Sequence, residues 1–81
     1  MTDDQILIAV KKVVREIAPE ADLDTVPRDA DLRQELDIDS MSFLNLAIGI
    51  EEQTGVSIPE SDYARVTSLN DLLGYLRQKA A

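Results

Sequence analysis

The apolar positions of this chain fall into three helical runs, separated by polar segments that carry the prolines. In the first run, Ile6, Val10, Val13, Val14 and Ile17 recur on one helical face, and Leu7 and Ala9 widen it. Thr2 stands where an N-cap belongs, with Gln5 three residues on to close a capping box. Pro19 cannot continue a helix, so the first one ends just before it. In the last run, Leu69, Leu72, Leu73 and Leu76 follow the i, i+3, i+4, i+7 pattern, with Thr67 or Ser68 as the cap. Asp71 near its start and Arg77 and Lys79 near its end suit the helix dipole.

Between the first and central runs, residues 20–39 are mostly polar and include Pro27, yet Leu23, Val26, Leu32 and Leu36 punctuate them. This pattern predicts a long ordered loop pinned by those apolar residues, with room for one short helical turn. A loop of that length in a small domain is often functional. The central helix is predicted from Ser40 to Gln53, with Gly55 as its C-cap glycine. Val56-Ser57-Ile58-Pro59 then leads into a short helix around Glu60 to Arg65. No segment alternates as a strand would. The expected fold is all-α: three main helices and one short one, a long loop between the first two, and residues 1–81 as a single domain.

The central helix carries more apolar surface than one core needs. At about 100° per residue, Phe43, Leu46, Ala47 and Ile50 form one stripe, and Met41, Leu44 and Ile48 form another roughly 140° away. Either both are buried, one beneath the long loop, or the Met41-Leu44-Ile48 stripe faces a partner with Asn45 and Glu52 as its polar flank. A Met at the edge of such a patch suits an adaptable contact.

Composition narrows the chemistry. Sixteen acidic against eight basic residues give a net charge of −8, which disfavours nucleic acid and anionic membranes and favours a basic patch on a partner protein. With no Cys and no His, disulfides, Cys or His zinc sites, Cys nucleophiles and Ser-His-Asp chemistry are excluded within the chain. No apolar run approaches a membrane span, and the acidic start Met1-Thr2-Asp3-Asp4 is unlike a signal peptide, so the expected address is the cytoplasm.

Two acidic sites fail on inspection. Asp29-Ala30-Asp31 opens like a calcium loop, but Arg33 stands at a ligand position, Gln34 where Gly is needed, and Ser40 where a bidentate Glu belongs. A start at Asp22 meets Pro27 at the glycine position. Asp37 and Asp39 lack the polar orienting partners that a catalytic pair needs. The expectation is therefore no catalytic residue, no metal ligand and no enzyme, only a solvated acidic surface.

Asp39-Ser40 remains. It sits where the central helix begins, among unpaired N–H groups at the positive end of the dipole. Asp and Ser are common caps there. The same position also favours a phosphate-linked group.

The run Leu36-Asp37-Ile38-Asp39-Ser40-Met41 resembles the phosphopantetheine attachment motif of acyl carrier proteins, roughly Leu-Gly-x-Asp-Ser-Leu. Glu51-Glu52, then Gly55-Val56-Ser57-Ile58-Pro59-Glu60, is similar to the family's end of the central helix and its Ile-Pro entry to the short helix. Val66-Thr67-Ser68-Leu69 looks like its hinge into the last helix, so the likeness covers nearly the whole chain. The resemblance implies that Ser40 takes phosphopantetheine from coenzyme A through a separate phosphopantetheinyl transferase, with Asp39 in the transferase's recognition motif. It also implies a thioester on the arm's thiol, and Met41, Leu44, Asn45, Ile48 and Glu52 as the face for acyl-transferring and acyl-modifying enzymes. Such carriers are expected as monomers. Fatty acyl, polyketide and aminoacyl or peptidyl carriers share the motif, and an unmodified helical adaptor is the alternative of another class. Asp37 replaces the usual Gly, Met41 the usual Leu, Asn45 a common acid, Thr54 a common aromatic and Gly49 a small apolar residue, which points to a specialised carrier.

Overall fold

A computed structural model of the chain describes residues 2–80. Helix α1 (Asp3–Ile17) is opened by the capping box: the Gln5 amide donates to Thr2 Oγ1 at 3.2 Å, and the Thr2 amide donates to Gln5 Oε1 at 2.9 Å. A 3₁₀ turn (Leu23–Thr25), helix α2 (Leu32–Glu35), helix α3 (Ser40–Thr54), a 3₁₀ segment (Glu60–Arg65) and helix α4 (Leu69–Ala80) follow. The fold is all-α, and no strand forms among the described residues.

The long connection is more helical than its sequence pattern suggests, with two short helical segments rather than one. Each is started by an aspartate: Asp22 Oδ1 accepts from the Asp24 amide at 3.0 Å, and Asp31 Oδ1 accepts from the Arg33 amide at 2.9 Å. Four residues are too few to show a 3.6-residue period, so these caps were the only signal in the chain. Leu23, Val26, Leu32 and Leu36 are all buried, as the pinning residues should be. The connection is also laced to the entry of α4. The Leu32 amide donates to the Thr67 carbonyl at 2.8 Å, and the Asn70 amide to the Arg28 carbonyl at 2.9 Å.

The core gathers one stripe from each long helix. Ile6, Val10 and Val13 of α1 join Phe43, Leu46 and Ile50 of α3 and Leu69, Leu72 and Leu76 of α4 in one buried cluster that also includes Ile58 and Val66. The α1–α3 approach is close enough that a Cβ on Gly49 would stand 2.6 Å from Val13 Cγ1. Gly55, at φ 76°, ends α3 in the left-handed conformation, and its amide donates to the Glu51 carbonyl at 2.8 Å. Of the two candidate caps of α4, Ser68 serves: its Oγ accepts from the Asp71 amide at 3.1 Å. Arg77 Nε, in the last turn of α4, pairs with Asp3 Oδ1 at 2.8 Å and ties α4 to the start of α1 at the surface.

Candidate functional site

Four residues turn the chain from the end of α2 to the start of α3. The Asp37 amide donates to the Gln34 carbonyl at 3.3 Å, and the Ile38 amide to the Arg33 carbonyl at 3.0 Å. Together these bonds make a Schellman closure of α2. That closure requires a left-handed residue, and Asp37 adopts it at φ 53°. A Cβ in that conformation is strained, and Asp is among the few side chains that tolerate it. Ile38 then packs against the core, and α3 begins two residues later.

Asp39, not Ser40, is the N-cap of α3. Its Oδ1 accepts from the Ser42 amide at 2.8 Å. That hydrogen bond, joined by one from the Ser42 hydroxyl, holds the Asp39 carboxyl below the usual carboxylate range. Of the two common cap residues in the Asp39-Ser40 pair, the structure uses Asp39. A cap needs non-helical dihedrals and a side chain folded back onto the helix, and Asp39 supplies both. Ser40 is the first helical residue, exposed, with its hydroxyl directed away from the helix backbone to Arg33. Arg33 Nη2 donates to Ser40 Oγ at 2.8 Å.

Ser40 opens onto a groove of about 380 Å³ lined by Arg33, Met41, Phe43, Leu44, Glu60 and Tyr63. The Arg33 guanidinium carbon lies 5.8 Å from the Phe43 ring centroid. Phe43 meets Tyr63 edge-on, with centroids 5.1 Å apart and planes at 75°, so the 3₁₀ segment forms the far wall. A larger recess of about 440 Å³ lies along α4, lined by Arg65, Asp71, Tyr75, Gln78 and Lys79. It contains no residue of the α2–α3 turn.

The two stripes of α3 have different fates. Phe43, Leu46, Ala47 and Ile50 are buried, whereas Met41 is 67% exposed, Ile48 46% and Leu44 39%. Asn45 and Glu52 are exposed beside them. An uncovered apolar strip thus runs along α3 from the serine that opens it. Asp37 is exposed in the turn, and Asp31 is committed to capping α2. Among the described residues no three acidic side chains converge as a metal site would need. Arg33, Glu60 and Tyr63 enter the site only through the fold. In the sequence Arg33 stands out merely as the residue that spoils a calcium loop, and no spacing rule links it to Ser40.

An exposed serine hydroxyl at a helix start, beside a guanidinium and a half-apolar groove, fits a phosphate-linked arm. The N–H groups and the cation favour the phosphate, and the groove offers its chain a wall. Comparison with known proteins agrees. The family model described as the phosphopantetheine attachment site matches residues 9–76. The acyl carrier protein of Renibacterium salmoninarum is 30% identical over 83 residues, covering 99% of this chain and 98% of its own. That of Rhodococcus erythropolis is 28% identical, with 99% and 87% covered. The meromycolate extension acyl carrier protein of Mycobacterium tuberculosis is 26% identical, with 96% and 67% covered. The chain belongs to the acyl carrier protein family, whose prosthetic group is a covalently attached phosphopantetheine.

Proposed function

We propose that residues 1–81 act as one carrier domain, monomeric and cytoplasmic, with Ser40 as the attachment point. In this reading the chain catalyses nothing itself. Its thiol-ended arm holds acyl intermediates as thioesters for enzymes of fatty acid, polyketide or related biosynthesis. The observation that carries the reading is the placement of Ser40: first in α3, exposed, and not used as the cap. In the loading step Ser40 Oγ attacks the phosphorus of coenzyme A that bears the pantetheine. The bond from that phosphorus to the bridging pyrophosphate oxygen breaks, the nucleotide leaves with that oxygen, and the serine proton passes to a base on the transferase. Asp39 holds the α3 start rigid by its bond to the Ser42 amide and presents a carboxylate to the transferase.

The exposed stripe of Met41, Leu44 and Ile48 supports a role for that face in docking, with Asn45 and Glu52 at its edge. Basic patches on partner enzymes suit a chain of net charge −8. Asp37, Met41 and Asn45 stand at the departures from the usual motif, and they favour a specialised carrier over a general one. The test is loading in vitro. Incubation with a phosphopantetheinyl transferase and coenzyme A gives one added arm by intact mass spectrometry, and Ser40→Ala gives none. A wild-type chain left unmodified by several transferases, with Ser40→Ala equally inert, identifies an unmodified helical adaptor instead.

A further inference from the structure

We propose that Arg33 is the phosphate-binding residue of the carrier arm, its guanidinium holding the phosphodiester that joins the arm to Ser40. The proposal rests on Ser40 as the attachment point. Arg33 already donates from Nη2 to Ser40 Oγ at 2.8 Å, and that oxygen becomes the ester oxygen when the arm is attached. Contact with the phosphodiester therefore needs no rearrangement of the backbone.

Arg33 carries its charge without an acidic partner among the described residues. It lies within a strongly acidic stretch, with Asp29, Asp31, Glu35, Asp37 and Asp39 around it in sequence. Nevertheless, none of the ion pairs among the described residues involves it. Among the described residues its one side-chain hydrogen bond goes to a neutral hydroxyl, which does not require a cation. A guanidinium is matched to phosphate by its planar fork of donors and is charged at every relevant pH. The side chain is also steadied. Its guanidinium sits over Phe43, which is buried and held edge-on by Tyr63. At the main-chain end, its amide is tied by Asp31 and its carbonyl by Ile38.

Attachment adds a negative charge to a turn already flanked by Asp37, Asp39 and, across the groove, Glu60. Without a cation at Ser40 that charge would face only like charges and the helix start. Arg33 offsets it. Loading should thus stabilise the wild-type chain and should do so less when Arg33 is neutral.

The experiment compares apo and holo forms of wild type, Arg33→Gln, Arg33→Lys and the charge-matched control Arg28→Gln. Intact mass spectrometry first establishes loading with excess transferase. Thermal midpoints and the ³¹P chemical shift of the holo proteins are then measured at low and high salt. The expected result is a rise on loading of about 2–4 °C in wild type and in Arg28→Gln. Arg33→Lys keeps part of the rise and Arg33→Gln loses it, with a displaced phosphorus resonance that no longer responds to salt. Equal midpoint differences and equal resonances in wild type and Arg33→Gln overturn the proposal while leaving Ser40 as the attachment point. An Arg33→Gln chain that accepts no arm where wild type does also overturns it, because Arg33 would then serve the transferase. An unloaded wild type overturns both readings together.

Discussion

Asp37 is the residue whose replacement gives the plainest signal. It holds φ 53° only because the closure of α2 demands a left-handed residue there. Asp37→Gly should raise stability by about 0.5–1 kcal/mol, seen as a higher denaturant midpoint with an unchanged slope. Asp39 carries a sign that can be worked out. Its folded pKa is depressed by the Ser42 bonds, so its contribution is complete above the ordinary carboxylate range and is lost as pH falls through the lowered folded value. Asp39→Asn keeps a cap and should flatten that acid branch of the stability curve, whereas Asp39→Ala should lose the cap at every pH. Ser40→Ala should change stability by less than about 0.5 kcal/mol, because the lost hydroxyl bond is exposed and caps nothing. The Asp-Ser pair was visible in the sequence as a helix start. Which of the two caps was not, since both are good caps and the register differs by one residue.

The central element is α3, which packs one stripe and leaves another bare. Both stripes could be read from the 3.6-residue period, because that period fixes which residues share a face. Which stripe would be covered depended on the path of the long connection, and that path is set by backbone bonds such as Leu32 to Thr67, which no side-chain pattern encodes. The same holds for α2 and the 3₁₀ turn before it: both aspartate-capped segments were too short to show periodicity. Gly49 tests the packing of this element. Alanine would gain helix propensity of about 1 kcal/mol, but its Cβ would meet the stiff Val13 side chain at 2.6 Å. We expect Gly49→Ala to lose about 1–2 kcal/mol net, and a double-mutant cycle with Val13→Ala to show the two substitutions coupled. On the bare side, Ile48→Asp should leave the thermal midpoint nearly unchanged while lowering the transferase kcat/KM about tenfold, if the stripe docks that enzyme.

At the scale of the molecule, three helices and a laced connection hold Ser40 at one edge of a small core, and a charge of −8 surrounds it. Size, acidity and helix order were legible in the chain, and so was the family, because the spacing from Asp39-Ser40 to Ile58-Pro59 spans separate elements. The cation beside the serine was not legible, since Arg33 of α2 reaches Ser40 of α3 only because the Asp37 turn folds the two helices together, and no residue pattern encodes that approach. Partner engagement should weaken as salt rises, as expected for an acidic face meeting basic patches. On the alkaline side, the Tyr75 phenol is raised chiefly by burial and then by its 2.7 Å donation to Asp62 Oδ2. Its contribution is complete below the ordinary tyrosine range and is lost as pH rises through the raised folded value, which tyrosinate absorbance can follow. The most direct test of the central claim is fragment mass spectrometry on protein purified from its own host. The account predicts a phosphopantetheine arm on the fragment containing Ser40. An arm placed on Ser42, Ser57, Ser61 or Ser68, or a Ser40 fragment always bare, would contradict it.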